Sequence, residues 1–447
     1  MRLLLLTVAC LLTPFCVSRP KYGMLVLIVF QATLLGGSAE LETNKFIFGG
    51  LFGLQLLWWI PRMLRTRQQW IKQPLAQWVT GLFLLFAVSR LVGMAHGISA
   101  LDWFRDLSPM LNYVWILMGV AAFGAGKNTR GYCKLLLFFL AILSVISTAQ
   151  LLSFRDFLSG PIAFFDSINV TPIVILFGVF LALSLASDDT QVRSRKQYWI
   201  IASGFVACGL LTGTRTNSIS IFAGLATYTW LLGREGMIKP SKVVIKTVLP
   251  FAVVTGLFLM TVAYGFLDTG KLFERYKEPF SEDFLEDATL TNRIAEGVDA
   301  WNAFTASPIV GQGLGYKMPT VFQLGMEYYT PEMYFVHNFY FYVLAKFGLL
   351  GIVTFAGFFV SVIRTSIRGY FRSAPGINKG LYAGVACLMV ALIVESITAA
   401  QFNERFPTAF LGVLLGMIIA MEVENRMSIK KLAVPLPVLP DQSSYRI

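Results

Sequence analysis

The sequence predicts an all-α integral membrane protein of about twelve transmembrane helices, with one large periplasmic loop of short helices. Three observations predict it. The 447 residues are 56% hydrophobic and only 14% charged. Apolar runs recur from the first residues to about position 421, each near the roughly 20 residues a helix needs to cross a bilayer core. The short alternating strands of a closed barrel do not occur in the sequence, and in lipid only helices and closed barrels satisfy their own backbone groups.

Met1 to Val17 has the length of a signal peptide, yet it has little basic n-region and no Ala-x-Ala-like site before Arg19, so it reads as a retained first membrane segment. From Tyr22 onward the expected segments are 22–36, 46–60, 74–96, 109–125, 135–152, 172–187, 198–212, 217–232, 247–267, 338–363, 380–395 and 407–421. Arg62, Arg65, Arg67 and Lys72 fill one gap, Lys127, Arg130 and Lys134 a second, and Arg193, Arg195 and Lys196 a third. With Arg234 to Lys246, Arg364 to Lys379 and the tail after Arg426, these basic gaps are assigned to the cytoplasm. The formal net charge of +12 is explained by this topology and calls for no nucleic acid; the membrane lipids are the expected surroundings. Leu41 to Lys45, Gly97 to Ser108, Ser153 to Val170, Gly213 to Thr216, Asp268 to Val336 and Ser396 to Phe406 then face the other side, which in a bacterial inner membrane is the periplasm.

The chain divides into an N-terminal bundle (1–267), a loop carrying part of the site (268–337), C-terminal helices (338–424) and a tail (425–447). The tail, with Pro435, Pro437 and Pro440 among polar residues, reads as a disordered cytoplasmic end. The loop from Asp268 to Val336 is acidic, with eleven Asp or Glu against five Lys or Arg. Cys10, Cys16, Cys133, Cys208 and Cys387 lie in or beside apolar runs without paired spacing, so neither a disulfide nor a metal site is expected.

Chemistry concentrates where that loop meets membrane. His337, one of only two histidines, stands in Tyr334-Phe335-Val336-His337-Asn338-Phe339-Tyr340 at the start of an apolar segment. Imidazole titrates near neutral pH, at about 6.5 unperturbed, and a helix N-terminus beside it favours the neutral, base-competent form. Arg215 sits in the polar turn Gly213-Thr214-Arg215-Thr216-Asn217-Ser218, where a guanidinium and the first amides of the next helix can hold an anion. Arg293 lies in Thr291-Asn292-Arg293-Ile294-Ala295-Glu296 on the same membrane face, with Glu296 and Asp299 as possible charge partners. Gly311-Gln312-Gly313-Leu314-Gly315 lacks the context of a dinucleotide site or P-loop and reads as a flexible turn. Glu395, Gln401 and Arg405 around the last polar break, and Arg155 in another periplasmic gap, are further candidates for substrate contacts.

In order, Asn292-Arg293, Trp301, Ser307-Pro308, the Gly311 to Gly315 run, His337 to Tyr340 and Leu344-Ala345-Lys346-Phe347-Gly348-Leu349-Leu350-Gly351 resemble the shared segment of the O-antigen ligase and polymerase superfamily. The resemblance implies a metal-independent glycosyltransferase of the bacterial inner membrane, without cofactor, whose site faces the periplasm. Its donor would be a glycan on undecaprenyl diphosphate and its acceptor a sugar hydroxyl. Arg215 and Arg293 would hold the diphosphate, His337 would act as general base, and Asn338 would join the substrate-binding residues. One dominant loop favours the O-antigen ligase, with the lipid A core as acceptor. Polymerase and protein O-oligosaccharyltransferase are the alternatives within the class, and a transporter or flippase of lipid-linked glycans is the alternative outside it.

Overall fold

Backbone groups inside lipid must be paired within the segment, and the apolar runs meet that demand as helices. The structure is a computed structural model; it describes residues 7, 10–14, 17–34, 43–124, 129–151, 171–188, 192–211, 215–236, 288–319, 322–324, 327–329 and 336–432. Its helices are α1 (Pro20–Leu34), α2 (Thr43–Trp70), α3 (Pro74–Ala95), α4 (Ala100–Leu107), α5 (Val114–Phe123), α6 (Thr129–Leu151), α7 (Thr171–Asp188), α8 (Val192–Leu211) and α9 (Arg215–Arg234). They are followed by α10 (Ala288–Ala306), the strands β1 (Phe322–Leu324) and β2 (Glu327–Tyr329), then α11 (Phe339–Arg372), α12 (Ile377–Glu395) and α13 (Arg405–Leu432). Among the described residues, seven helical stretches are long and apolar enough to cross a membrane, and two shorter apolar helices accompany them. Eleven of the expected segments coincide with helices; residues 425–432, expected in the disordered tail, are instead the helical end of α13, and segment 247–267, Arg155 and the tail from 433 lie outside the described residues.

Helix α13 is the axis of the bundle, with 94% of its most apolar window buried. It meets α5 backbone to backbone: a Cβ added to Gly119 would fall 2.1 Å from the Gly416 carbonyl oxygen. Small residues allow such an approach, and packing rather than water exclusion holds helices together in lipid. The connection from Gly97 to Ser108, expected as a plain return, instead contains α4, because Ser99 Oγ accepts the Asp102 amide (3.1 Å) and caps it.

The described part of the large loop holds the nineteen-residue α10 and an antiparallel hairpin in which Phe322 faces Tyr329. Its glycine run is not a flexible turn. Gly311, Gly313 and Gly315 all have positive φ, and a Cβ on Gly311 would lie 2.4 Å from the Lys346 carbonyl carbon. The run is built into a break in α11, where Gly348 adopts φ 59° and ψ −153°. The interruption strands backbone groups, and the loop pairs them. Gln312 N donates to Ala345 O (2.8 Å) and Gly313 N to Lys346 O (2.9 Å), while Leu349 N and Leu350 N donate to Pro308 O (2.9 Å) and Ile309 O (3.0 Å).

A buried ionic cluster pins this loop. Lys346 Nζ lies 2.8 Å from Asp106 Oδ2, and both side chains are almost fully buried. The same carboxylate accepts the Tyr342 hydroxyl (2.8 Å) and the Gly315 amide (2.8 Å), so α4, α11 and the glycine run share one anchor.

Candidate active site

Arg293, Glu296, Gly297 and Trp301 recur at steps of three and four, so α10 presents them along one side. The chain returns through Val336 to His337, and Asn338 caps α11: its Oδ1 accepts Tyr340 N (2.9 Å) and Phe341 N (3.1 Å). Three further hydrogen bonds tie the start of α11 to the end of α12. Asn338 Nδ2 donates to Ile397 O (2.8 Å), Phe339 N to Ser396 O (3.0 Å) and the Tyr340 hydroxyl to Ile393 O (2.7 Å). Together α10, the first turn of α11 and the 397–398 turn enclose a cavity of about 550 Å³. Arg293, Glu296, His337, Asn338 and Thr398 supply its polar groups, and Ile294, Val298, Trp301, Phe341 and Ile397 its apolar walls.

The central contact is between His337 and Glu296. Nδ1 lies 2.8 and 2.9 Å from the two carboxylate oxygens, and the His337 backbone N–H donates to Oε2 (2.9 Å). The Glu296 side chain is 3% exposed and the imidazole 42%. A carboxylate only accepts, so Nδ1 carries the proton and the proton-accepting role falls to Nε2. The same carboxylate can stabilise the positive charge that develops when Nε2 takes a proton.

This pairing corrects the expected role of Glu296. Arg293 has an exposed side chain and makes no ion pair among the described residues. Glu296 engages His337 instead, 41 residues away in sequence. Nothing in the sequence marks Glu296 as a histidine partner; its spacing from Arg293 only shows that both can face one side of a helix.

Of the other expected residues, Asn338 lines the cavity, but its Oδ1 and Nδ2 are engaged in capping and in holding Ile397. Glu395 is buried at the end of α12 and accepts the Ser220 hydroxyl (2.8 Å), which ties it to α9. Arg215 is the first residue of α9, and its side chain lies outside the described residues. Gln401 is buried in the short 3-10 turn Gln401–Asn403, and Arg405 opens α13. Glu404, between them, was not anticipated. Although the residue is exposed, the protein packed around it desolvates its carboxyl and pushes it up to about 7, with the charge of His337 opposing the shift and that of Glu395 adding to it.

Residues 200–356 match the family whose model is described as O-antigen ligase. Over this segment the chain resembles the O-antigen ligase family. The matched segment runs from within α8 past the break in α11 and includes Arg215, Arg293, Glu296, His337 and Lys346. Over 252 residues the chain is 25% identical to the teichuronic acid biosynthesis protein TuaE of Bacillus subtilis (strain 168). The match covers 55% of this chain and 49% of that protein, so it spans about half the relative's length. Glu395, Gln401, Glu404 and Arg405 lie beyond the matched O-antigen ligase segment.

Proposed function

We propose that the chain is a glycosyltransferase of the bacterial inner membrane. It takes a glycan from undecaprenyl diphosphate and passes it to an acceptor hydroxyl at the periplasmic face. The specific reaction proposed is O-antigen ligation to the lipid A core oligosaccharide. The observation that carries this reading is the Glu296–His337 pair opening onto the same cavity as Arg293, an oriented base beside an exposed cation. The match to the O-antigen ligase family supports it.

In the mechanism, His337 Nε2 takes the proton of the acceptor hydroxyl as its oxygen bonds to the anomeric carbon of the donor glycan. The anomeric C–O bond to the diphosphate breaks at the same time, and undecaprenyl diphosphate leaves with the electron pair. Glu296 holds the imidazole and offsets its new charge. Arg293, with Arg215 as its expected partner at the head of α9, neutralises the departing diphosphate; bidentate guanidiniums can do this without a metal ion.

A second reading is polymerisation, which the same oriented base and exposed cation would serve. There the acceptor hydroxyl would belong to another lipid-linked glycan. Purified chain in liposomes with lipid-linked glycan and lipid A core tests both. A new bond to lipid A core supports ligation, and lengthening of the lipid-linked glycan supports polymerisation. Movement of lipid between leaflets without a new bond would make the protein a transporter.

A further inference from the structure

The α10 wall of the His337 cavity carries a row of residues that the mechanism above only half uses. Arg293, Gly297 and Trp301 stand at steps of four, so they lie along one side of the helix, and all three line the cavity. At about 1.5 Å of rise per residue, Trp301 is about 12 Å along the axis from Arg293, and Glu296 is about 4.5 Å from it. The Glu296–His337 pair therefore stands between a cation and an aromatic ring.

The middle of the row is a notch. Gly297 has no side chain, and a Cβ added there would have the Phe341 ring as its nearest neighbour, at 3.6 Å, so helix backbone and that ring form the floor. Helical side chains lean towards the N-terminus, which carries the Trp301 indole over this notch. Phe304, one turn further on, packs against the indole with ring centroids 5.2 Å apart and supports it from behind. The indole is nonetheless half-exposed, and among the described residues no oxygen accepts its N–H. A half-exposed tryptophan in a membrane protein also suits the lipid interface. A lipid tail, however, has no acceptor for the indole N–H, whereas a pyranose has an apolar C–H face for the ring and hydroxyl oxygens for the N–H. Charge draws the donor diphosphate to the Arg293 end. In the concerted displacement, nucleophile and leaving group lie on opposite sides of the anomeric carbon, so the acceptor sugar falls at the Trp301 end.

We propose that Trp301 is the stacking platform for the acceptor sugar, which lies on the indole over Gly297 and turns its nucleophilic hydroxyl to His337 Nε2. The cavity is then divided along α10, with the anionic leaving group at Arg293 and the acceptor ring at Trp301. This inference rests on the reading of His337 as the base for a hydroxyl acceptor.

The test uses the full chain in nanodiscs, with Trp301→Ala, Trp301→Leu, Trp301→Phe and Gly297→Leu beside the wild type. Lipid-free core oligosaccharide and lipid-free repeat-unit oligosaccharide are titrated as sugar-only probes, and acceptor and donor KM are measured in the transfer assay with lipid A core. One indole face is about a third of the roughly 150–250 Å² such a side chain can bury, so at about 25 cal/mol per Å² Trp301→Ala should weaken sugar binding and raise acceptor KM about 8- to 30-fold. Trp301→Leu should lose nearly as much, since it keeps apolar area without a flat face, and Trp301→Phe should recover most of it. Gly297→Leu fills the notch and should raise acceptor KM at least as far, with a Tm no lower than wild type because Leu is the better helix former. If the wild type transfers glycan and Trp301→Ala keeps its acceptor KM, the platform is wrong and the proposed function stands. A loss in Trp301→Ala that Trp301→Leu fully restores assigns the residue to a lipid tail and overturns the platform, as do equal rises of donor and acceptor KM in Trp301→Ala. If the wild type transfers nothing to lipid A core yet binds a sugar-only probe that Trp301→Ala no longer holds, the platform stands and the proposed reaction falls. Wild type that neither transfers nor binds sugar overturns both.

Discussion

Replacing Glu296 by Gln keeps the volume of the side chain and one acceptor oxygen for His337 Nδ1, but removes its charge. In the structure that carboxylate receives the imidazole N–H and the backbone N–H of His337 within 2.9 Å. The charge matters most when Nε2 has taken the acceptor proton and the ring is cationic. A hydrogen bond to a charged partner is worth about 1.5–3 kcal/mol, and the 42% exposure of the imidazole favours the lower half of that range. Turnover should therefore fall about 10- to 30-fold in Glu296→Gln, at 1.4 kcal/mol per decade. Loss of the base itself in His337→Ala should cost about 100- to 10,000-fold. The double variant should be no slower than His337→Ala, because a carboxylate that acts through the imidazole has nothing left to act on. The assay is single-turnover transfer from lipid-linked glycan under donor saturation, with donor binding measured in parallel. Near-normal turnover in Glu296→Gln, or a double variant slower than His337→Ala by the full Glu296 factor, would refute the assignment of Glu296 as the residue that orients the base.

Arg293→Ala should raise donor KM at least about 10-fold with little change in acceptor KM, and Arg293→Lys should recover only part of it, since an ammonium cannot grip two phosphate oxygens in a fork; steady-state kinetics with both substrates varied checks this. Asp106→Ala leaves the Lys346 ammonium buried without its carboxylate and should destabilise the protein by about 3–5 kcal/mol, read as a fall in Tm by fluorescence in detergent. The pair Asp106→Leu with Lys346→Met should recover much of that loss, since it removes both buried charges together.

The linear order of charges and apolar residues was enough for the sequence to determine the helices. Each apolar run is close to a bilayer in length, and in lipid a run of that length has helix as its available form, so the expected segments from 22–36 to 407–421 coincide with observed helices wherever residues are described. His337 and Arg293 stand out in the sequence because a histidine and an arginine at the edge of apolar segments need a polar surrounding, and in the structure both line the same cavity. Pairing across long stretches of chain was not legible. Glu296 meets His337 across 41 residues, and Asp106 meets Lys346 from a different helix; local propensity carries no information on either contact. The glycine run shows why the remainder needed tertiary structure. Its three glycines look like freedom when read alone, yet they are held by amides and carbonyls that a break at Gly348 leaves unpaired, and only the docking of the two segments reveals that each completes the other.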